Sequence, residues 1–373
     1  MLDDAVGAGV APGFVAALAA PAGLLYAHAA GARSVAPARP MTLDSVFRIA
    51  SMTKLVTSLG VMMLVEEGRV DLDAPFAGYL PGFRQPEVLE SFDSATRRYA
   101  TRPADRPVSV RELLTHTSGY GYWFMDAPLL ALTDGPPDLL NPPFLMHPPG
   151  RKFAYGTSTD VLGQIFEPVS GLPLETFFER RIFGPLGMAD TGYAPPRELA
   201  RLVTVNARSG GGFVERPNER AGATPRGGGG LYSTAPDYLR LLRLLLNGGE
   251  LDGRRLVGTD LIAAMTRNQI GVLHAERQTA ALKTRSNDFI FLDGSQKFGF
   301  GVMIETRDRP SGRAAGSYGW GGIHNTYFWV DPRASLAGVL MMQTTPFADR
   351  ESIAFLEQFE RAAYALGTSG RNP

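Results

Sequence analysis

Residues Phe47 to Gly68 read FRIASMTKLVTSLGVMMLVEEG. From Leu55 to Val65 this stretch is apolar almost all the way round, which marks a buried helix and not a surface amphipath. Gly68 supplies a left-handed C-terminal cap, and Thr42 to Arg48 read as extended or turn-like lead-in. Two polar groups stand near the front of the helix, Ser51 and Lys54, one helical turn apart and therefore on one face. Burial makes the lysine's charge costly, so the pair has the form of a hydroxyl nucleophile beside an amine base. A Ser-x-x-Lys spacing is common by chance, but lysine is scarce in this chain, with only Lys54, Lys152, Lys283 and Lys297 among 373 residues.

Composition narrows the possibilities outside that stretch. Lys and Arg number 37 and Asp and Glu 37, so no net field draws the chain to nucleic acid or to an anionic membrane. There is no Cys, which excludes disulfides and thiolate chemistry. The five His (28, 116, 147, 274 and 324) are dispersed without ligand-like spacing, and no metal site is expected. Residues 14–30 are rich in Ala and Leu, yet the chain opens MLDD and Pro21 with Gly23 interrupts the apolar run. A hairpin of Phe14–Ala20 and Leu24–Ala30 is expected in place of a secretion signal, and a cytoplasmic location with it. No apolar run reaches the length of a membrane span.

Further along, residues 69–107 lose periodicity and mark the border of a second subdomain. Ser109-Val110-Arg111-Glu112 is a capping box that opens a short helix. His116-Thr117-Ser118-Gly119 ends it, and the aromatic cluster Tyr120, Tyr122, Trp123, Phe124 follows. That cluster serves either loop packing or one wall of an apolar substrate pocket. A Pro-rich connector over 136–149 delivers the chain to Phe153-Ala154-Tyr155-Gly156-Thr157. A helix from about Thr157 carries Val161, Leu162, Ile165 and Phe166 inward, and another runs from Pro173 to Phe183. The glycines 227–230 lack the Gly-Lys-Ser/Thr of a phosphate loop and read as a turn or a close backbone approach. A capped helix follows to about Leu246. Strands are expected over Phe298–Glu305, Thr326–Val330 and Ala337–Gln343, with a last helix over Glu351–Leu366. The sheet is hairpin-connected and so antiparallel.

A catalytic serine with a histidine partner would sit in a G-x-S-x-G elbow, and no serine here has Gly at both −2 and +2. Ser51-Met52-Thr53-Lys54, then Tyr155 after Pro-Pro-Gly-Arg-Lys-Phe-Ala, then Trp320-Gly321-Gly322 before a strand, resemble the class C β-lactamase and penicillin-binding-protein superfamily, most closely the family VIII carboxylesterases. The resemblance covers nearly the whole chain. It implies an α+β fold of the β-lactamase/transpeptidase type: an antiparallel sheet flanked by helices, plus a mainly helical subdomain. The domains would be 1–72 (with the nucleophile helix), 73–180 (mainly helical) and 181–373.

The same resemblance implies Ser51 as the acylated nucleophile, Lys54 as general base, and Tyr155 as the relay to the leaving alkoxide. Whether Lys54 or Tyr155 takes the first proton stays open at this level. Backbone N–H groups of Ser51 and Ile323 would form the oxyanion hole. Two departures point away from carboxylated substrates. Thr157 stands where lactamases carry the Asn of Tyr-x-Asn, and Trp320-Gly321-Gly322 stands where they carry Lys-Thr-Gly. An indole cannot pair with a carboxylate and prefers apolar groups.

The expected function is hydrolysis of short-chain carboxylic esters through an acyl-serine, with no cofactor. The expected partner is a small neutral ester, with no nucleic acid and no membrane. Tyr122, Trp123, Thr157, Trp320, Gly321, Gly322 and Ile323 are the expected substrate-binding or oxyanion positions. The alternatives are a β-lactamase, a D-amino-acid peptidase or amidase, or an acyltransferase of the same superfamily. A non-catalytic scaffold that keeps the fold is the reading from another class.

Overall fold

The computed structural model describes residues 1–35, 37–133, 138, 140–216 and 224–369. Positions 136, 137 and 139 of the Pro-rich connector lie outside the described residues. Both ends of the chain build one eight-stranded antiparallel sheet. Its strands are β1 (Gly13–Ala20), β2 (Gly23–Val35), β3 (Ala38–Pro40), β4 (Lys297–Phe298), β5 (Met303–Ile304), β6 (Tyr318–Gly322), β7 (Thr326–Asp331) and β8 (Leu336–Met341). The order across the sheet is β4-β5-β6-β7-β8-β1-β2-β3. The N-terminal hairpin thus completes a sheet begun by the C-terminal third, with β1 paired to β8 in the register Ala17 to Val339. The near-unbroken apolar runs of β1 and β8 follow from cover on both faces.

Five helices position the site: α1 (Thr53–Glu66), α2 (Val110–Leu114), α3 (Ser158–Leu162), α4 (Ala235–Leu246) and α5 (Arg350–Ser369). Phe328 and Trp329 are neighbours on β7 and point to opposite faces. Phe328 meets Tyr238 of α4, and Trp329 meets Phe359 of α5. Trp320 lies directly opposite Phe328 in the β6–β7 register, so it shares the α4 face. Helix α1 is buried from Thr53 to Leu64, as its apolar circumference requires, and Gly68 caps it at φ 68°. Helix α2 carries the capping box in full, with Ser109 Oγ accepting from the Glu112 N–H and the Glu112 carboxylate accepting from the Ser109 N–H.

Two elements depart from the sequence expectation. Phe298–Glu305 does not run as one strand; it folds back as the β4–β5 hairpin. Gly301 makes the turn possible at φ 84°, and a Cβ there would come within 2.2 Å of Ser58 Oγ. The hairpin therefore presses backbone against α1, an approach that only glycine permits. Residues 73–180 also hold a two-stranded hairpin, Val88–Phe92 with Tyr99–Arg102, among their short helices. Its strands are too exposed and polar for hydrophobic alternation to announce them.

Candidate active site

Ser51 sits in a single 3-10 turn, Ala50–Met52, just ahead of α1. The turn follows the two-residue strand Phe47–Arg48, which pairs with Tyr232–Ser233. Ala50 takes a positive φ of 47°, a conformation L-residues rarely adopt, and this kink sets the serine at the mouth of the helix. Lys54 follows on the first turn of α1 and is 1% exposed.

The Lys54 side-chain nitrogen has three partners. Nζ lies 3.2 Å from Ser51 Oγ, 3.0 Å from the Tyr122 hydroxyl and 2.7 Å from the Gly228 carbonyl oxygen. It also stands over two rings, 5.1 Å from the Tyr155 centroid and 5.4 Å from that of Tyr122. Three polar contacts and two π faces replace the water removed by burial.

Tyr122, expected on sequence grounds as a pocket wall, reaches the lysine itself, and its ring stacks on Phe124. Its hydroxyl donates to Asp160 Oδ2 at 3.4 Å. Burial first, and then the negative charge of Asp160, hold the Tyr122 phenol well above its ordinary value, so it keeps its proton at working pH. Trp123 is half-buried with its ring edge-on to Phe124, while Tyr120 is fully inside the core.

Tyr155 is buried, and its hydroxyl accepts from Trp320 Nε1–H at 3.2 Å. Its ring lies among those of His116, Tyr122, Phe289 and Trp320. His116 is fully buried at a positive φ of 55°, and its Nδ1 accepts from the Gly156 N–H at 3.4 Å. Burial, and then the charge of Lys54, push the imidazole well below its ordinary value, so it is neutral. Thr157 is buried, and its Oγ1 has no hydrogen-bond partner among the described residues.

Trp320, Gly321 and Gly322 form the end of β6 beside the Ser51 turn. Gly322 passes so close that a Cβ would lie 2.4 Å from the Ile49 carbonyl oxygen. Ile323 is half-buried in the loop that turns β6 into β7, closed by Asn325 N–H donating to the Gly322 carbonyl at 2.9 Å. The strand end and the serine turn thus approach each other backbone to backbone at Gly322 and Ile49.

Sequence reasoning missed the glycine run as part of this site. Gly227 packs on α3 so tightly that a Cβ would meet the Thr159 carbonyl oxygen at 2.2 Å, and its own carbonyl accepts from Thr57 Oγ1 at 2.6 Å. Gly228 then offers its carbonyl to Lys54. The run is a close backbone approach that supplies acceptors to α1. Asp160 was missed as well, although a carboxylate beside the inward-facing Val161 and Leu162 is a signal, because a buried charge demands partners. Among the described residues, no three His, Asp or Glu side chains gather as a metal would need, and no helix is long and apolar enough to cross a membrane.

The fold thus sets a serine at a helix mouth, a buried lysine one turn on, and the end of β6 beside both. The chain belongs to the beta-lactamase family, whose model matches residues 2–362. Esterase EstB of Burkholderia gladioli is 30% identical over 89% of this chain and 86% of its own. Acyltransferase calJ of Penicillium decumbens is 31% identical over 87% of this chain and 82% of its own. Among solved structures, the LovD6 mutant of simvastatin synthase from Aspergillus terreus superposes with a TM-score of 0.85 at 27% identity, over 99% of this chain and 94% of the other. The chain is therefore an enzyme of a family of serine hydrolases and acyltransferases with a β-lactamase/transpeptidase-like fold.

Proposed function

We propose that the protein is a serine carboxylesterase of the family VIII type, which hydrolyses short-chain neutral esters through an acyl-Ser51 intermediate. The observation that carries this reading is the 3.2 Å contact between the buried Lys54 Nζ and Ser51 Oγ. Lys54 is the group within reach of the serine proton, so it is the general base of this proposal. As Ser51 Oγ bonds the ester carbonyl carbon, the serine proton passes to Lys54 and the carbonyl electron pair moves onto oxygen. Backbone N–H groups of Ser51 and Ile323 receive that oxyanion.

Tyr155 then gives its proton to the departing alkoxide and regains one from Lys54, which carries the proton taken from Ser51. Base and acid are thus both restored before water enters. The Tyr155 oxygen already accepts from the Trp320 indole, which leaves its own proton free to be given. Water repeats the cycle on the acyl-enzyme. The aromatic set Tyr155, Phe289, Phe291 and Trp320 offers apolar surface, with an indole and not a cation at position 320, which favours a neutral acyl group.

A second reading has a specific support: the relatives named above include an acyltransferase and a synthase. It shares every step to acyl-Ser51 and differs in the acceptor, an alcohol in place of water. The test measures turnover of nitrophenyl acetate and butyrate, a chromogenic cephalosporin and a D-Ala-D-Ala peptide, each with and without an added alcohol. The esterase proposal expects the neutral esters to turn over fastest and product acid to dominate. Faster turnover of the carboxylated substrates would reverse it, and ester exchange that outpaces hydrolysis would move the assignment to acyltransferase.

A further inference from the structure

The hydrogen bonds around Lys54 have a fixed direction, and one buried carboxylate sets it. A carbonyl oxygen can only accept, so the Gly228 contact takes one Lys54 proton. The Tyr122 oxygen takes a second, provided its own proton points elsewhere, and that proton is directed to Asp160 Oδ2. The third tetrahedral direction of the nitrogen faces Ser51 Oγ. In the neutral amine, that direction holds the lone pair. Were the Tyr122 hydroxyl turned the other way, its proton would occupy the lone pair and Lys54 would present an N–H to the serine.

Asp160 governs both of the other contacts. Its second oxygen accepts from the Gly228 N–H at 3.2 Å, so it also holds the residue whose carbonyl binds Lys54. The carboxylate is 1% exposed, with Arg226 Nη1 at 3.5 Å as its ionic partner. Gly228 has no side chain to intrude, and a Cβ there would lie 2.2 Å from the carboxylate.

We propose that Asp160 is a positioning residue: through Tyr122 and Gly228 it orders the protons of Lys54 so that the amine lone pair is left to Ser51. This inference rests on the reading of Lys54 as the base of Ser51. Asp160 itself touches neither Ser51 nor substrate, and its effect passes through its two neighbours.

Asp160→Asn separates this role from simple packing. The Asn side chain has nearly the same shape, but only one of its two termini can accept. With its oxygen on the Gly228 N–H, its NH₂ donates to the Tyr122 oxygen and turns the phenol proton toward Lys54. The expected result is a kcat loss on the order of 10²-fold with KM changed by less than about twofold. Tyr122→Phe alone slows the enzyme, because it removes an acceptor. In the D160N background it removes the misdirected donor, so the double variant is at least as fast as D160N. A double variant slower than D160N, or a D160N enzyme within about threefold of wild type, would overturn the proposal.

Circular dichroism checks each variant for folding. If D160N does not fold, the same cycle is run on D160N/R226Q, which removes both members of the ion pair. A fluorophosphonate probe distinguishes the two levels. Wild-type protein that gains no mass on Ser51 refutes the reading of the nucleophile and base, whereas labelled Ser51 with multiplying losses refutes only the role of Asp160.

Discussion

His116 makes the stability of this enzyme depend on pH with a sign and size that can be worked out. The imidazole is fully buried against Tyr155, and burial together with the charge of Lys54 pushes its proton affinity well below the ordinary histidine value of about 6.5. Below about pH 6.5 the unfolded chain binds a proton at this position and the folded protein does not. The unfolded state then holds more protons, so stability is lost as pH falls. The slope is at most about 1.4 kcal/mol per pH unit. With the folded ring neutral throughout, the interval from pH 6.5 to 5 amounts to about 2 kcal/mol.

Wild-type measurements alone would not isolate that contribution. Asp126, buried near the same loop, is pushed up to about 6, and as a raised carboxyl it contributes stability that grows as pH falls from about 6. A variant that removes only the imidazole resolves the two. His116→Asn is suited to this, because Asn is among the residues that tolerate the φ of 55° and its oxygen can accept from the Gly156 N–H. Urea unfolding of both proteins is followed at pH 7.5 and pH 5.0. The stability advantage of wild type over H116N should shrink by about 2 kcal/mol on going to the lower pH. Parallel curves, with a difference constant to within about 0.5 kcal/mol, would refute a neutral buried imidazole at this position.

The remaining predictions concern the reacting groups and their support. Ser51→Ala and Lys54→Ala should each lower kcat by at least about 10³, and the double variant little further, as read from ester turnover; S51A retaining more than about a tenth of the rate would exclude Ser51 as the nucleophile. Trp320→Phe keeps the aromatic packing and removes the N–H that Tyr155 accepts, so kcat should fall about tenfold; in a Tyr155→Phe background the same change should cost almost nothing, since no phenol remains to receive it. Gly227→Ala places a Cβ 2.2 Å from the backbone oxygen of Thr159, and chemical denaturation should show a loss of about 1–3 kcal/mol with a parallel fall in kcat, because Gly228 carries the Lys54 acceptor.

Which parts of this site could be read from the residues follows from how each is encoded. Ser51 and Lys54 are legible because a helix fixes their separation, and because two polar groups at the head of an apolar run stand out. Trp320-Gly321-Gly322 is legible as an ordered motif, and the sheet as alternating or continuous apolar stretches. Tyr122 reaches Lys54 across 68 positions, out of an aromatic loop with no periodicity, so nothing local distinguishes it from Tyr120, which is core. The 88–102 hairpin and the fold-back at Gly301 were hidden for related reasons, since neither buries an alternating face.

One rule would have recovered more. A lysine nitrogen in the core needs a partner in every direction it presents, and Ser51 satisfies one of three. That deficit requires two further acceptors from elsewhere in the chain. A glycine run without phosphate-loop chemistry offers exposed carbonyls, and a tyrosine in an otherwise apolar cluster offers an oxygen. The acceptor count thus links three features that sequence inspection treats as unrelated: the buried lysine, the glycines at 227–230 and the aromatic loop. It also places Asp160 one step further out, because a tyrosine that accepts from an amine must send its own proton somewhere, and a buried carboxylate on the adjoining helix is the group able to take it.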